Sequence, residues 1–271
     1  MIPRLLPLLV LFAGACNDEI DTSDDSGEGD TDADTDVDTD TDVDPSGAVS
    51  GLLLYDDDTP AAGAEAQICR NSCRYTKVGA DGTFTFTSLE AGRYSLHFVA
   101  DCDGATCAEA LHPVDVLDGQ TTDLPLPIYA LPFTDSAAIT DTTTGTFPAG
   151  DFLALQVDGA ALTPPFGVEL AIQGVRVLPT RWPDLSTLGD VEVLDLWYLG
   201  AFNTAANPRV PFTVTQAYGL SDLDQVGIRV TGYIEADWVD AGTATASGGA
   251  IITDAGSGLP YLTTLALIRL D

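Results

Sequence analysis

The chain of 271 residues is predicted to be all-β: two antiparallel β-sandwich domains that follow a signal peptide and a disordered acidic tether. Three observations carry this expectation. From residue 47 onward apolar residues alternate with polar ones in short segments punctuated by Gly, Asp, Asn and Pro, and no stretch of ten or more residues keeps a helical stripe. Hydrophobic residues make up 45% of the chain and mean hydropathy is positive despite a formal net charge of -32, so the body can bury a core. Finally, residues 17–46 hold 14 of the 42 acids and no Lys or Arg, which sets them apart from the body of the chain.

Charge also excludes function classes. After residue 46 the body still carries 28 acids against nine bases. Nucleic-acid backbones are held by clustered cations, so non-specific nucleic-acid binding is excluded, as is direct adsorption to anionic lipid. Any membrane attachment would have to be covalent.

Such an attachment is legible at the start. Arg4 precedes an apolar run from Leu5 to Phe12, and the small residues Ala13, Gly14 and Ala15 come next. This run is too short to span a bilayer and has the order of a signal peptide over residues 1–15. The AGAC sequence that ends it resembles the lipobox of bacterial lipoproteins, although Ala13 stands where that family usually has Leu. The resemblance implies diacylglyceryl modification of Cys16 and a place at the outer membrane, on its periplasmic face or at the cell surface. The alternative is ordinary secretion with Cys16 left as a thiol. Residues 16–46 then read as a lipidated cysteine and a disordered Asp/Thr-rich tether, whose like charges repel and extend it. Fully stretched, it would reach on the order of 100 Å. Its alternating Asp residues lack the glycine turn and distal Glu that converge ligands in a calcium loop, so no specific metal site is expected there.

Residues 47–129 form the first expected domain. Strands are predicted at 49–55, 64–69, 74–78, 83–87, 93–100, 112–117 and 122–128. Asp81 and Gly82 supply a turn, Phe84 and Phe86 share one face, and Tyr94, Leu96 and Phe98 share another. The stretches GAVSGLLLYDDDTPAAGAEAQI, GADGTFTFTSLEAGRYSLHF and VDVLDGQTTDLPLPI resemble the carboxypeptidase regulatory-like domain, a prealbumin-like β-sandwich. The resemblance covers roughly a third of the chain and implies a structural or adhesive accessory with no peptidase zinc ligands. Departing from that family are four cysteines: Cys69 and Cys73 with three residues between them, and Cys102 and Cys107 with four. In an exported protein two disulfides are expected in preference to a four-thiolate zinc site. The local pairs are favoured, and a cross-pairing that staples the two loops together stays open. If Cys16 is acylated, no cysteine is left over. His97 should face away from Leu96 and Phe98, and His112 opens a strand before Pro113; a metal site shared by the two is not expected.

Residues 130–271 are expected to form a second β-sandwich or jelly-roll-like domain, free of cysteine and histidine. Its strands are predicted at 137–140, 152–157, 168–177, 191–199, 210–216, 225–235, 243–247, 250–253 and 261–270. The loops at 182–190 and 199–204 are the candidate binding rim, with Trp182, Asp184, Trp197, Tyr198 and Phe202 as its residues. The weighed alternative is that these aromatics, with Phe212, Tyr218, Tyr233 and Trp238, pack the core. No nucleophile elbow or phosphate loop is present. Carboxylates on or beside strands, namely Glu169, Glu192, Asp195, Glu235 and Asp237, would support glycosidase chemistry only if two of them faced each other across a concave site. Asp222 and Asp224 are weak candidates for binding calcium; otherwise no cofactor is expected. The resulting expectation is a non-enzymatic envelope lipoprotein that binds or adheres to protein or glycan. The alternatives are a structural or assembly subunit of an envelope complex and, remotely, a carboxylate-dependent glycoside hydrolase.

Overall fold

The computed structural model describes residues 46–270, so the signal peptide, Cys16 and the tether lie outside the described residues. Among the described residues there is no α-helix; the chain is built of β-strands and three 3-10 turns.

The first half is a two-sheet sandwich. One sheet has the order Ile128–Ala130, Gly47–Tyr55, Thr83–Leu89, with Thr121–Asp123 also pairing on Gly47–Tyr55; the other runs Cys73–Lys77, Glu65–Cys69, Gly92–Val99, Leu111–Val116. The alternation read from the sequence places the core. Phe84 and Phe86 point inward from one sheet and Tyr94, Leu96 and Phe98 from the other, all at most 7% exposed. Phe84 meets Phe98 edge-to-face with centroids 5.0 Å apart. The Asp81 carboxylate accepts from the Thr83 amide at 3.1 Å and its hydroxyl at 2.6 Å, closing the expected turn. Two pairings depart from the antiparallel expectation: Gly47–Tyr55 lies parallel to both Thr121–Asp123 and Ile128–Ala130. The chain crosses to the second sheet before returning, so it re-enters in the direction in which it started. Pro125 and Pro127, which have no amide to donate, fall between the two return strands.

The main sheet of the second half is antiparallel and has ten strands. Its order is Asp135–Ala138, Ala171–Val177, Val193–Gly200, Thr264–Arg269, Gln225–Gly232, Asp237–Ser247, Ala250–Thr253, Phe212–Val214, Leu153–Asp158 and Thr144–Pro148. The sheet curls around its own core of Leu155, Trp197, Phe212, Ile228 and Leu265, among others, until its two edges approach. At that seam the Gly150 amide donates to Asp135 at 2.9 Å, and Gly174 lies so close to Ala149 that an added Cβ would sit 2.2 Å from its carbonyl oxygen. A three-stranded sheet of Leu162–Thr163, Thr204–Val210 and Leu259–Leu262 completes the second half.

Residue 130 is not a gap between the halves, because the described residues form one compact unit. Strand Val193–Gly200 shows why. Leu194, Trp197 and Leu199 belong to the curled sheet's core, whereas Leu196 and Tyr198 pack with the sandwich. Both faces of this strand are covered, which explains its nearly unbroken apolar sequence LWYLG. Gly92–Val99 of the sandwich mirrors this arrangement. Its outward Ser95 and His97 are 1% and 5% exposed, because the second half covers them. Polar links cross the junction: Arg93 holds Asp115 and Asp237 at 2.7 Å each, Ser95 donates to the Tyr233 carbonyl at 2.9 Å, and the Leu111 amide donates to Thr264 at 3.1 Å.

Candidate functional site

Where the two halves meet lies an open cleft of about 690 Å³. Five separate stretches of the chain build it. The hairpin around Cys102–Cys107 and Glu109 forms one wall, Phe133 and Ser136 come from the connection into the second half, Pro165, Val168 and Glu169 come from a loop, and Gln173, Phe202, Asn203 and Tyr233 come from the curled sheet and its turns. Its walls are predominantly apolar, with a few polar groups among them, the composition that ligand sites usually have.

Behind this surface the polar groups are organised by His97. Its Nε2 lies 2.9 Å from Glu109 and its Nδ1 3.3 Å from the Gln67 side-chain oxygen. Phe202 stacks on the imidazole at 4.3 Å, and Tyr233 stands at right angles to the Phe202 ring at 5.9 Å. The Tyr233 hydroxyl rests 3.1 Å and 3.0 Å from the sulfurs of Cys69 and Cys73, and burial pushes its pKa up. The two rings are therefore held by groups from the other half of the molecule. Glu169 is exposed and has no hydrogen-bond or ion-pair partner among the described residues.

The expected rim residues do not gather here. Phe202 lines the cleft. Trp197 and Tyr198 are wholly buried, which corrects their reading as a binding rim: consecutive residues of a strand face opposite ways, and here each way leads into a core. Tyr198 lies 3.2 Å from His112, and burial raises its pKa. Trp182 packs on the sandwich core and donates to the Val177 carbonyl at 2.9 Å. Asp184 caps the Ser186 amide at 3.0 Å and lines a different, smaller cavity of about 100 Å³ that includes His112. The loop at 182–190 is thus a cover. Leu185 and Leu188 join Trp182 against the core, and Arg181 pins the loop by its ion pair with Asp58 while lying 4.4 Å over the Tyr129 ring.

The cysteines pair locally, Cys69 with Cys73 and Cys102 with Cys107. Most candidate carboxylates have partners. Asp195, fully buried, accepts from Arg176 at 2.6 Å and from the Tyr218 hydroxyl; Glu192 pairs with Arg269, and Glu235 accepts from Tyr261 at 3.1 Å. Asp222 and Asp224 accept backbone amides of Gly248 and Ser221 at 2.8 Å each, and no cluster of three potential metal ligands occurs among the described residues. Glu109, Phe133 and Gln173 were not legible as site residues, because nothing in the sequence signals that their segments meet.

Fold and cleft together define an all-β protein of two fused layers with a ligand-sized opening at their junction. No protein-family model and no curated protein matches the chain. Among solved structures it is similar to the Bacillus anthracis TIE protein, at 12% identity and a TM-score of 0.28 over 84% of this chain and 48% of the other. It is similar to BcpA, the major pilin subunit of Bacillus cereus, at 11% identity and a TM-score of 0.27 over 83% and 57%. A DUF3823 family protein from Bacteroides uniformis is similar at 10% identity and a TM-score of 0.24, over 84% and 85%. The chain spans about half the length of the first two, and similarity of this extent assigns no function.

Proposed function

We propose that the chain is a non-enzymatic binding module that holds a protein or glycan ligand in the cleft between its halves. It is exported by its N-terminal signal, anchored through Cys16 at the outer membrane, and held off the surface by the acidic tether. The observation that carries the binding role is the 690 Å³ cleft lined by Phe133, Phe202 and Tyr233 beside the unpaired Glu169. Aromatic rings supply contact area at low entropy cost, and the amides of Gln173 and Asn203 supply orienting hydrogen bonds. His97, which could otherwise act as a base, is enclosed between Gln67, Glu109 and the Phe202 ring. The lipobox supports the anchor and leaves both faces of the outer membrane open.

Two measurements test the reading. Cys16→Ser should abolish palmitate incorporation; label retained on the variant would refute the anchor. In capture from the native envelope, the wild type should retain a ligand that a chain carrying Phe202→Ala and Asn203→Ala does not. Equal recovery by the two would remove the cleft as the site.

A further inference from the structure

The cleft's chemistry narrows its occupant, on the reading that the cleft is the binding site. Pro164, Pro165 and Gly167 present Phe166 on a tight turn, closed by the Val168 amide donating to the Pro165 carbonyl at 3.1 Å, with Gly167 at φ 82°. Phe166 is fully exposed, although the residues on either side of this turn line the cleft. Ile234, the residue after Tyr233, is 83% exposed at the tip of its hairpin. Large apolar side chains held out next in sequence to residues that line a cavity are costly in water and are the usual mark of an interaction surface. A saccharide could stack a C–H face on Phe166 but would leave the branched aliphatic Ile234 uncovered, whereas apolar peptide side chains would bury both.

Charge gives the second constraint. The lining contains two carboxylates, Glu109 and Glu169, and no Lys or Arg. Glu109 is engaged by His97, but Glu169 has no partner among the described residues, and the surrounding body has three acids for every base. An anionic ligand would be repelled at every approach, while a cation would find both a carboxylate and aromatic faces.

We propose that the cleft receives an exposed segment of a partner protein in which a Lys or Arg stands beside a large apolar residue. The cation pairs with Glu169, and the apolar side chain enters between Phe202 and the Phe166 loop.

The test is an immobilised array of hexapeptides scanned at each position, run beside a glycan array, with the wild type, Glu169→Gln and Phe166→Ala. Both substituted side chains are exposed, so both variants should fold. Expected is selection of Lys or Arg next to an aromatic or branched aliphatic residue. Glu169→Gln should weaken the selected peptide about 2- to 5-fold, as removal of an exposed ion pair does, and abolish the preference for Lys or Arg. Phe166→Ala should weaken it about tenfold, as loss of an aromatic anchor does. Peptide binding indifferent to cations, or unchanged in Glu169→Gln, overturns the proposal. Saccharide binding that Glu169→Gln or Phe166→Ala weakens, without peptide binding, overturns it too but leaves the cleft as the site. Silence on both arrays overturns the proposal and the cleft together.

Discussion

His112 should make the protein acid-sensitive well above the range in which its carboxylates titrate. The ring is 4% exposed, its Nε2 lies 3.2 Å from the Tyr198 hydroxyl, and its Nδ1 has no hydrogen-bond partner. Burial without a counter-charge disfavours the imidazolium and pushes the pKa down to about 3 from 6.5. Between those two values the unfolded chain binds a proton that the native chain refuses, so stability falls as pH falls, by about 1.4 kcal/mol per pH unit. At pH 5 the loss relative to pH 7.5 is about 2 kcal/mol, a large part of the margin of an ordinary domain. Replacing His112 with Gln keeps a hydrogen-bonding side chain opposite Tyr198 and removes the titration. Urea unfolding of both chains at pH 7.5 and pH 5, disulfides intact, gives the comparison. Asp57, Asp58, Asp81 and Asp115, whose hydrogen bonds hold their pKa values below the ordinary carboxylate value, are common to both chains and cancel. The wild type should lose about 2 kcal/mol more than His112→Gln on acidification. Equal losses in the two chains would refute the assignment of the sensitivity to His112.

Two further substitutions test the second half. Arg176→Ala leaves the fully buried Asp195 carboxylate with only the Tyr218 hydroxyl and its neighbour's amide, and should cost about 3–5 kcal/mol in denaturant unfolding; a change below about 1 kcal/mol would mean that the pair is hydrated. Gly174→Ala forces a methyl against the Ala149 carbonyl at the seam of the curled sheet, so hydrogen exchange should rise in Asp135–Ala138 and Thr144–Pro148 before the sandwich is affected. Exchange rising evenly across both halves would show that the seam is not a separate element.

Much of the first half was legible because its reasons are local. The alternation through Phe84 and Phe86 and through Tyr94, Leu96 and Phe98 is a period-two pattern that needs no knowledge of partners, and the Asp81–Gly82 turn closes within four residues. Disulfide pairing was legible in its favoured form, since Cys69 and Cys73 face each other across one hairpin. The site was read less well. Phe202 was named, but so were Trp197 and Tyr198, whose exposure depends on what covers each face of Val193–Gly200.

The sequence by itself determined the all-β class, most strand positions, the cysteine pairs on offer and the acidic character that disfavours anionic partners, all of which come from residue type and spacing. Only the tertiary structure decided that ten strands of the second half join in one curled sheet, that its outer face docks on the sandwich, and that Glu109, Phe133, Phe202 and Tyr233 line one opening. The physical reason is that period two tells which residues share a face but not what that face will meet. His97 illustrates it: alternation pointed it away from the sandwich core, towards what would be solvent for an isolated domain, and the second half buried it beneath the Phe202 ring.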